Sequence, residues 1–310
     1  RQDLSSINEI QRHLEPGQAV LEMFYEGDNV HLFFLPKFGE PRIETKELDG
    51  KQLAAAIKQI KRWTRAKNEA HLHSMLREPW LSLASTLGGY IHDYCSQTKV
   101  AELYVVPHRE LAFLPIAALH VGTRDGEPAY LGDVFPLTFL PSVSALPKLA
   151  RYEGVSKTGK GVAFSDPHSD VKGRSLPQAK SEVNALKGVL KESAVAEFSG
   201  KDANLENFRS YWASGDVLLM PTHAKAHRNS YLSYLELHGQ ERLFSHDIFN
   251  APGQLTNTEL VVLSACESGL PDVRVIDETM GLMSSFLVAG AKMVLSTYWA
   301  IADQTTSPVV

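Results

Sequence analysis

Glu259-Leu260-Val261-Val262-Leu263-Ser264-Ala265-Cys266-Glu267-Ser268-Gly269 decides how this 310-residue chain is read. Leu260 to Leu263 is a short apolar run, the pattern of a strand buried on both faces. It predicts a strand that delivers a thiol, Cys266, into a loop of small residues. Asp216-Val217-Leu218-Leu219-Met220 repeats the pattern and ends at Pro221-Thr222-His223-Ala224, which puts an imidazole 43 residues before the thiol (266 − 223).

Outward from these runs, strand and helix patterns alternate. Gly161 to Phe164 reads as a strand ending at Ser165-Asp166-Pro167, and 176–190 reads as a helix, with apolar residues at 176, 179, 183, 186 and 190. A strand is predicted over 194–198, a helix over 204–213, an irregular hairpin arm over 231–237, a helix over 279–289 and a strand over 293–301. Strand followed by helix in succession predicts an α/β fold with a doubly wound, mostly parallel sheet flanked by helices.

The preceding half reads differently. A short helix ending near Gly17 leads to two β-prone runs, Ala19 to Tyr25 and Val30 to Leu35, around Glu26-Gly27-Asp28-Asn29, which predict a hairpin. Helical spacing runs over 51–67 and 72–95, with Glu78-Pro79 expected to begin a helix because proline is tolerated in a first turn. Glu102 to Pro107 has a buried-strand pattern. Tyr130-Leu131-Gly132 and Phe135 to Pro141 supply further β structure, and the prolines predict an edge position. Polar, glycine-bearing Arg151 to Lys160 separates the halves, giving lobes at 1–150 and 161–310 with a linker at 151–160.

Composition excludes several classes. Thirty-one basic against 36 acidic residues give a formal net charge of −5, which removes the electrostatic case for direct nucleic-acid binding. No apolar stretch approaches the roughly 18 residues of a membrane span, and the start lacks a signal-peptide core, so a cytoplasmic location is expected. Cys95 and Cys266 are the only cysteines, too few for a disulfide scaffold or a four-thiolate zinc site, and both are read as reduced. Because Arg1 is not a methionine and the chain stops just after a strand pattern, an excerpt of a longer protein is expected.

Ligands of an open parallel sheet bind beyond the carboxyl ends of its strands, where both His223 and Cys266 fall. A thiol attacks an amide carbonyl as thiolate. A neighbouring imidazolium stabilises that thiolate and can then protonate the departing amine. The oxyanion needs backbone donors, for which the N–H groups of Ala224 and Cys266 are the candidates. Taken singly, each residue is more often structural than catalytic. Free cysteine usually packs as a small hydrophobe, and a strand-end histidine usually forms a local hydrogen bond, with His227, His238 and His246 as competitors. The joint pattern, histidine first by about 50 residues, is that of a caspase-type cysteine protease.

Ser264 to Gly269, followed by Gly281-Leu282-Met283-Ser284-Ser285-Phe286-Leu287-Val288-Ala289-Gly290-Ala291 and Val294 to Asp303, resembles the CHAT domain, a caspase-like module associated with tetratricopeptide repeats in bacteria. Val106-Pro107, Leu114 to Leu119 and Leu140 to Leu146 extend the resemblance over nearly the whole chain. It implies a cysteine endopeptidase related to caspases and separase, with a His223 and Cys266 dyad, a catalytically inactive pseudo-caspase-like N-terminal lobe, and neither metal nor organic cofactor. It also implies a protein substrate, a role in bacterial immunity or regulated proteolysis, and an activating protein or ribonucleoprotein docked through a repeat domain outside this chain. Two departures stand out: Ala224 replaces the usual glycine, and the C-terminal helix is missing. The alternatives are a silent CHAT interaction scaffold and a different acyl-transfer enzyme.

Asp166, Asp277 and Glu278 are candidates for pairing with a basic substrate side chain, against roles in capping a turn and favouring a helix N-terminus. Tyr298 and Trp299 lie on a strand expected to pair with substrate backbone, although late-strand aromatics usually belong to a core. The segment 270–278 is long for a strand-to-helix loop, where about 2–6 residues is usual, and is expected to gate the site until a partner orders it.

Overall fold

A computed structural model describes residues 6–65, 77–150, 159–227, 229–264 and 281–296. Two compact units divide at residues 151 and 152.

In the first unit the elements are α1 (Ile7–Arg12), β1 (Gln18–Glu26), β2 (Asn29–Pro36), β3 (Arg42–Glu47), α2 (Gly50–Arg65), α3 (Trp80–Thr98), β4 (Glu102–Pro107), β5 (His120–Arg124), β6 (Glu127–Tyr130), α4 (Leu131–Val134), β7 (Leu137–Phe139) and α5 (Ala145–Ala150). A five-stranded sheet runs in the order β3-β2-β1-β4-β7. The expected hairpin forms, with β1 antiparallel to β2, while β1 is parallel to β4 and β4 to β7. Side chains alternate across a strand, so β1 sends Ala19, Leu21 and Met23 to one core and Val20 to another. The first core gathers Trp80, Leu83, Leu87 and Ile91 from α3, and the second gathers Ile10 and Leu14 from the N-terminal segment.

The prolines place β7 at an edge, as expected. The opposite edge, β3, has no apolar alternation to betray it: Arg42, Glu44 and Lys46 form an ion ladder, and charge on an edge strand discourages pairing with other chains. Tyr130-Leu131-Gly132 does not continue as strand. β6 stops at Tyr130 because the Asp133 carboxylate accepts from the Tyr130 N–H at 3.0 Å and starts the single turn of α4. The helix expected to begin at Pro79 begins beside it, with Pro79 at the N-cap of α3. Gly88 lets α3 lie against β5: a Cβ there would stand 2.4 Å from the His120 carbonyl oxygen.

The second unit contains β8 (Gly161–Ser165), α6 (Ala179–Leu190), β9 (Val195–Ser199), α7 (Leu205–Tyr211), β10 (Val217–Leu219), β11 (Ala224–Lys225), β12 (Tyr234–Glu236), β13 (Arg242–Phe244), α8 (Ser245–Phe249), β14 (Leu260–Leu263), α9 (Leu282–Ala289) and β15 (Met293–Ser296). Its five-stranded sheet has the order β15-β14-β10-β8-β9 with every neighbouring pair parallel. In chain order that is 2-1-3-4-5 read from the β9 edge. Helices cover both faces. Val183 and Leu186 of α6 pack on Ala163, Leu219 and Val262, while Phe208 of α7, Ile248 of α8 and Phe286 of α9 pack with Val162, Phe164, Leu218 and Val261. Full cover is why these strands read as continuous apolar runs rather than alternations. The helix expected from 176 begins at Ala179, because Leu176 precedes a proline and its N–H is committed to the Asp166 side chain. The arm expected over 231–237 forms β12 of a three-stranded antiparallel sheet, β11-β12-β13.

Candidate functional site

The strand order reverses direction between β8 and β10, and at such a switch point the loops leaving the carboxyl ends part to leave a crevice. His223 lies there, four residues beyond Leu219 at the end of β10. Its half-buried ring places Nε2 2.6 Å from the main-chain oxygen of Arg174, in the loop that leaves β8. A carbonyl only accepts, so Nε2 carries the hydrogen and Nδ1 is left as the basic nitrogen. The imidazole and its carbonyl partner thus follow adjacent parallel strands.

The strand on the other side of β10 leads to the thiol. Leu219 pairs with Val262 in the parallel register, so His223 and Cys266 follow their paired positions by the same four residues (223 − 219 and 266 − 262). Cys266 itself lies outside the described residues, as do Asp277, Glu278, Tyr298, Trp299 and the segment 270–278. Ser264, just past the end of β14, is buried.

Ala224 opens β11 opposite Leu235 of β12. The neighbouring pair is hydrogen-bonded, since the Glu236 N–H donates to the His223 carbonyl at 2.8 Å. Hydrogen-bonded and non-bonded pairs alternate along an antiparallel ladder, which turns the Ala224 N–H away from β12. Ala224 sits in extended backbone that any residue adopts, so glycine is not demanded at this position by a left-handed φ.

Asp166 takes φ +38° at the end of β8. Its carboxylate accepts from Ser175 Oγ at 2.8 Å and from the Leu176 N–H at 2.9 Å, closing the loop that carries Arg174. Three residues that the sequence did not single out surround His223. The His168 ring is buried and lies 5.9 Å from the His223 ring, centroid to centroid. His168 Nε2 is 3.1 Å from Glu236 Oε2, and the same carboxylate oxygen accepts from Arg174 Nη2. Among these, only His168, two residues past Asp166 at a strand end, carried any local signal.

The competing histidines have partners of their own. His227 Nδ1 accepts from the Asn229 N–H at 3.1 Å, while His238 Nδ1 bonds the Pro167 carbonyl at 3.0 Å and His246 Nδ1 the Tyr231 carbonyl at 3.0 Å. None of them follows a strand of the parallel sheet directly.

The other cysteine, Cys95, is buried in α3, and desolvation pushes its thiol up to about 12. That thiol is not a nucleophile at neutral pH. Among the described residues no cluster of three or more His, Cys, Asp or Glu could hold a metal ion, and no helix is long and apolar enough to cross a membrane.

The CHAT domain family model matches residues 67–309. No curated protein matches the chain.

Proposed function

Because this chain belongs to the CHAT domain family, whose members are caspase-like and related to peptidases, we propose that it is a cysteine endopeptidase cleaving a protein substrate through His223 and Cys266. The observation that carries the reading is the His223 ring: Nε2 is tied to the Arg174 carbonyl at the switch point, one strand away from the run that leads to Cys266. A nucleophile, a base and a third group orienting the base are the parts that thiol catalysis requires. The second unit is then a doubly wound caspase-like protease lobe over 161–310, joined through 151–160 to an inactive caspase-like lobe over 1–150.

In this mechanism His223 Nδ1 takes the proton from Cys266 Sγ. The thiolate adds to the scissile carbonyl carbon, and the resulting oxyanion is held by the N–H groups of Ala224 and Cys266. The tetrahedral intermediate collapses as the protonated imidazole gives its proton to the departing amine, leaving a thioester on Cys266. Water, deprotonated by His223, hydrolyses that thioester and regenerates the thiol. Substrate pairing along Tyr298 and Trp299, acidic recognition by Asp277, Glu278 or Asp166, and activation by a partner docked outside this chain complete the proposal.

Incubation with a peptide library and with an irreversible thiol-directed inhibitor tests it. Cleavage with a new N-terminus in the product, together with selective labelling of Cys266, is expected. Neither cleavage nor selective labelling, even with candidate partners present, would identify a silent scaffold instead.

A further inference from the structure

The acceptor that orients His223 is a main-chain atom in an exposed loop. Residues 170–174 are solvent-exposed, and Gly173 within them takes φ +78° with open space on its side-chain face. Turn bonds within the loop, from the Val171 N–H to the His168 carbonyl at 2.9 Å and from the Arg174 N–H to the Val171 carbonyl at 3.0 Å, fold it locally. Two side-chain clamps tie that folded loop to the elements around it. One is Asp166, which holds the loop's exit through Ser175 and Leu176. The other is Glu236, whose position has a further consequence.

Glu236 grips both partners of the His223 to Arg174 bond. Its N–H donates to the His223 carbonyl at 2.8 Å, and its own carbonyl accepts from Thr222 Oγ1 at 2.6 Å, so its backbone locks the His223 main chain. Its carboxylate holds the Arg174 guanidinium and is backed by buried His168 at 3.1 Å. The residue that bears the ring is therefore held by the backbone of Glu236, and the residue that bears the ring's acceptor by its side chain, so both are referenced to one residue on β12.

We propose that Glu236 is a positioning residue, which through Arg174 fixes His223 as its Nε2–H tautomer and keeps Nδ1 available for the thiol. The inference deepens the protease reading and rests on it for its catalytic consequence, but the tautomer does not depend on catalysis. Charge strengthens the tie: hydrogen bonds between ionised groups are shorter and stronger than neutral ones, and an arginine held by a carboxylate loses freedom that its exposed loop would otherwise keep.

The test reads the ring directly. In protein labelled with ¹⁵N-histidine, two-bond ¹⁵N–¹H correlations distinguish the tautomers, and the signals of the 12 histidines are assigned to His223 by difference with His223→Gln. The wild type is expected to show a single Nε2–H form. Glu236→Ala is expected to show both tautomers in exchange, and peptide turnover about ten- to a hundredfold lower with little change in KM, the size of effect seen when the outer-shell partners that orient metal-ligating histidines are removed. Glu236→Gln, whose amide oxygen still accepts from Arg174, is expected to retain the single form and most of the rate. If Glu236→Ala does not fold, Arg174→Ala cuts the same tie from a surface side chain, keeps the main-chain carbonyl, and is expected to give the same mixture. An unchanged single tautomer in a folded Glu236→Ala or Arg174→Ala protein would overturn the proposal, even if the wild type proves a protease. A tautomer that responds to Glu236 in a protein without peptidase activity would uphold the positioning and sink the protease reading alone.

Discussion

Each unit sends a histidine out of the carboxyl end of a parallel strand, and the two histidines do different things. His108 leaves β4 of the first unit and stacks flat on Phe24, with ring centroids 4.2 Å apart and planes 13° from parallel. The chain then turns through a short 3₁₀ helix, Arg109–Phe113, whose Leu111 and Ala112 are buried, so this strand end is sealed by apolar packing. His223 leaves β10 of the second unit into a polar surround of Arg174, Glu236 and His168, with a ring nitrogen held by a carbonyl. The thiol of the first unit follows the same contrast: Cys95 is fully buried in a helix and raised to about 12. A histidine at a strand end is thus not a site by position. The groups that meet its ring decide whether it packs against apolar neighbours or is held by polar ones.

The sharpest way to break this contrast is to remove the two residues of the proposed dyad. Cys266→Ala and His223→Ala are each expected to lower peptide turnover by on the order of 10⁴-fold or more, and the double variant to be no worse than either, as for groups acting as a unit. His108→Ala is expected to leave turnover unchanged and to lower unfolding stability by about 0.5–1.5 kcal/mol through loss of the ring stack. Steady-state rates and urea titrations of the four proteins decide between these outcomes. Activity lost with His108 but kept without His223 would exchange the roles of the two strand ends.

Ala224 sharpens the account of the second unit. Ala224→Gly keeps the N–H and is expected to keep the rate, whereas Ala224→Pro removes the donor and is expected to cost about 10²–10³ in turnover. A far-UV circular dichroism spectrum must show that the proline variant folds. Equal rates in both would place the oxyanion donors elsewhere.

A smaller effect tests the sealed packing of the first unit. Gly88→Ala would press a methyl to 2.4 Å from the His120 carbonyl oxygen. That contact is main chain, which yields less readily than a side chain, and overpacking of this kind costs about 1–3 kcal/mol. A urea midpoint equal to that of the wild type would show that α3 shifts away from β5 without penalty.

The smallest effect concerns pH and Cys95. Its thiol is raised from 9.0 to about 12 by burial, so between those values the unfolded chain has released a proton that the folded chain retains. Stability conferred by the buried neutral thiol is therefore complete below about pH 9 and is lost as pH rises towards 12, with a slope of up to about 1.4 kcal/mol per pH unit. Cys95→Ala lacks this loss. The stability gap between wild type and Cys95→Ala, measured in reducing buffer, is expected to move in the variant's favour from pH 8 to pH 10. A gap that stays constant would show that Cys95 is hydrated in the folded protein.

By itself the sequence determined the parallel core of the second unit. The runs at 161–164, 217–220 and 260–263 are apolar throughout because strands of such a sheet are buried on both faces, and this pattern is local enough to read. It also determined the family, through motifs that run along the chain, and it singled out His223 as the strand-end imidazole. It did not reveal β3, because a charged edge strand has no apolar period, nor the early stop of β6, because the cap on Asp133 outweighs the β propensity of the residues before it. Only the tertiary structure decided which groups meet the His223 ring. Glu236 stands 68 residues from His168 and 62 from Arg174, and Arg174 stands 49 from His223, so no periodicity along the chain relates them. They come together because β8 and β10 are neighbours in the sheet while β12 pairs with the strand that follows His223. Side-chain recognition across such distances depends on which strands pair, and pairing depends on burying both faces of the whole sheet at once.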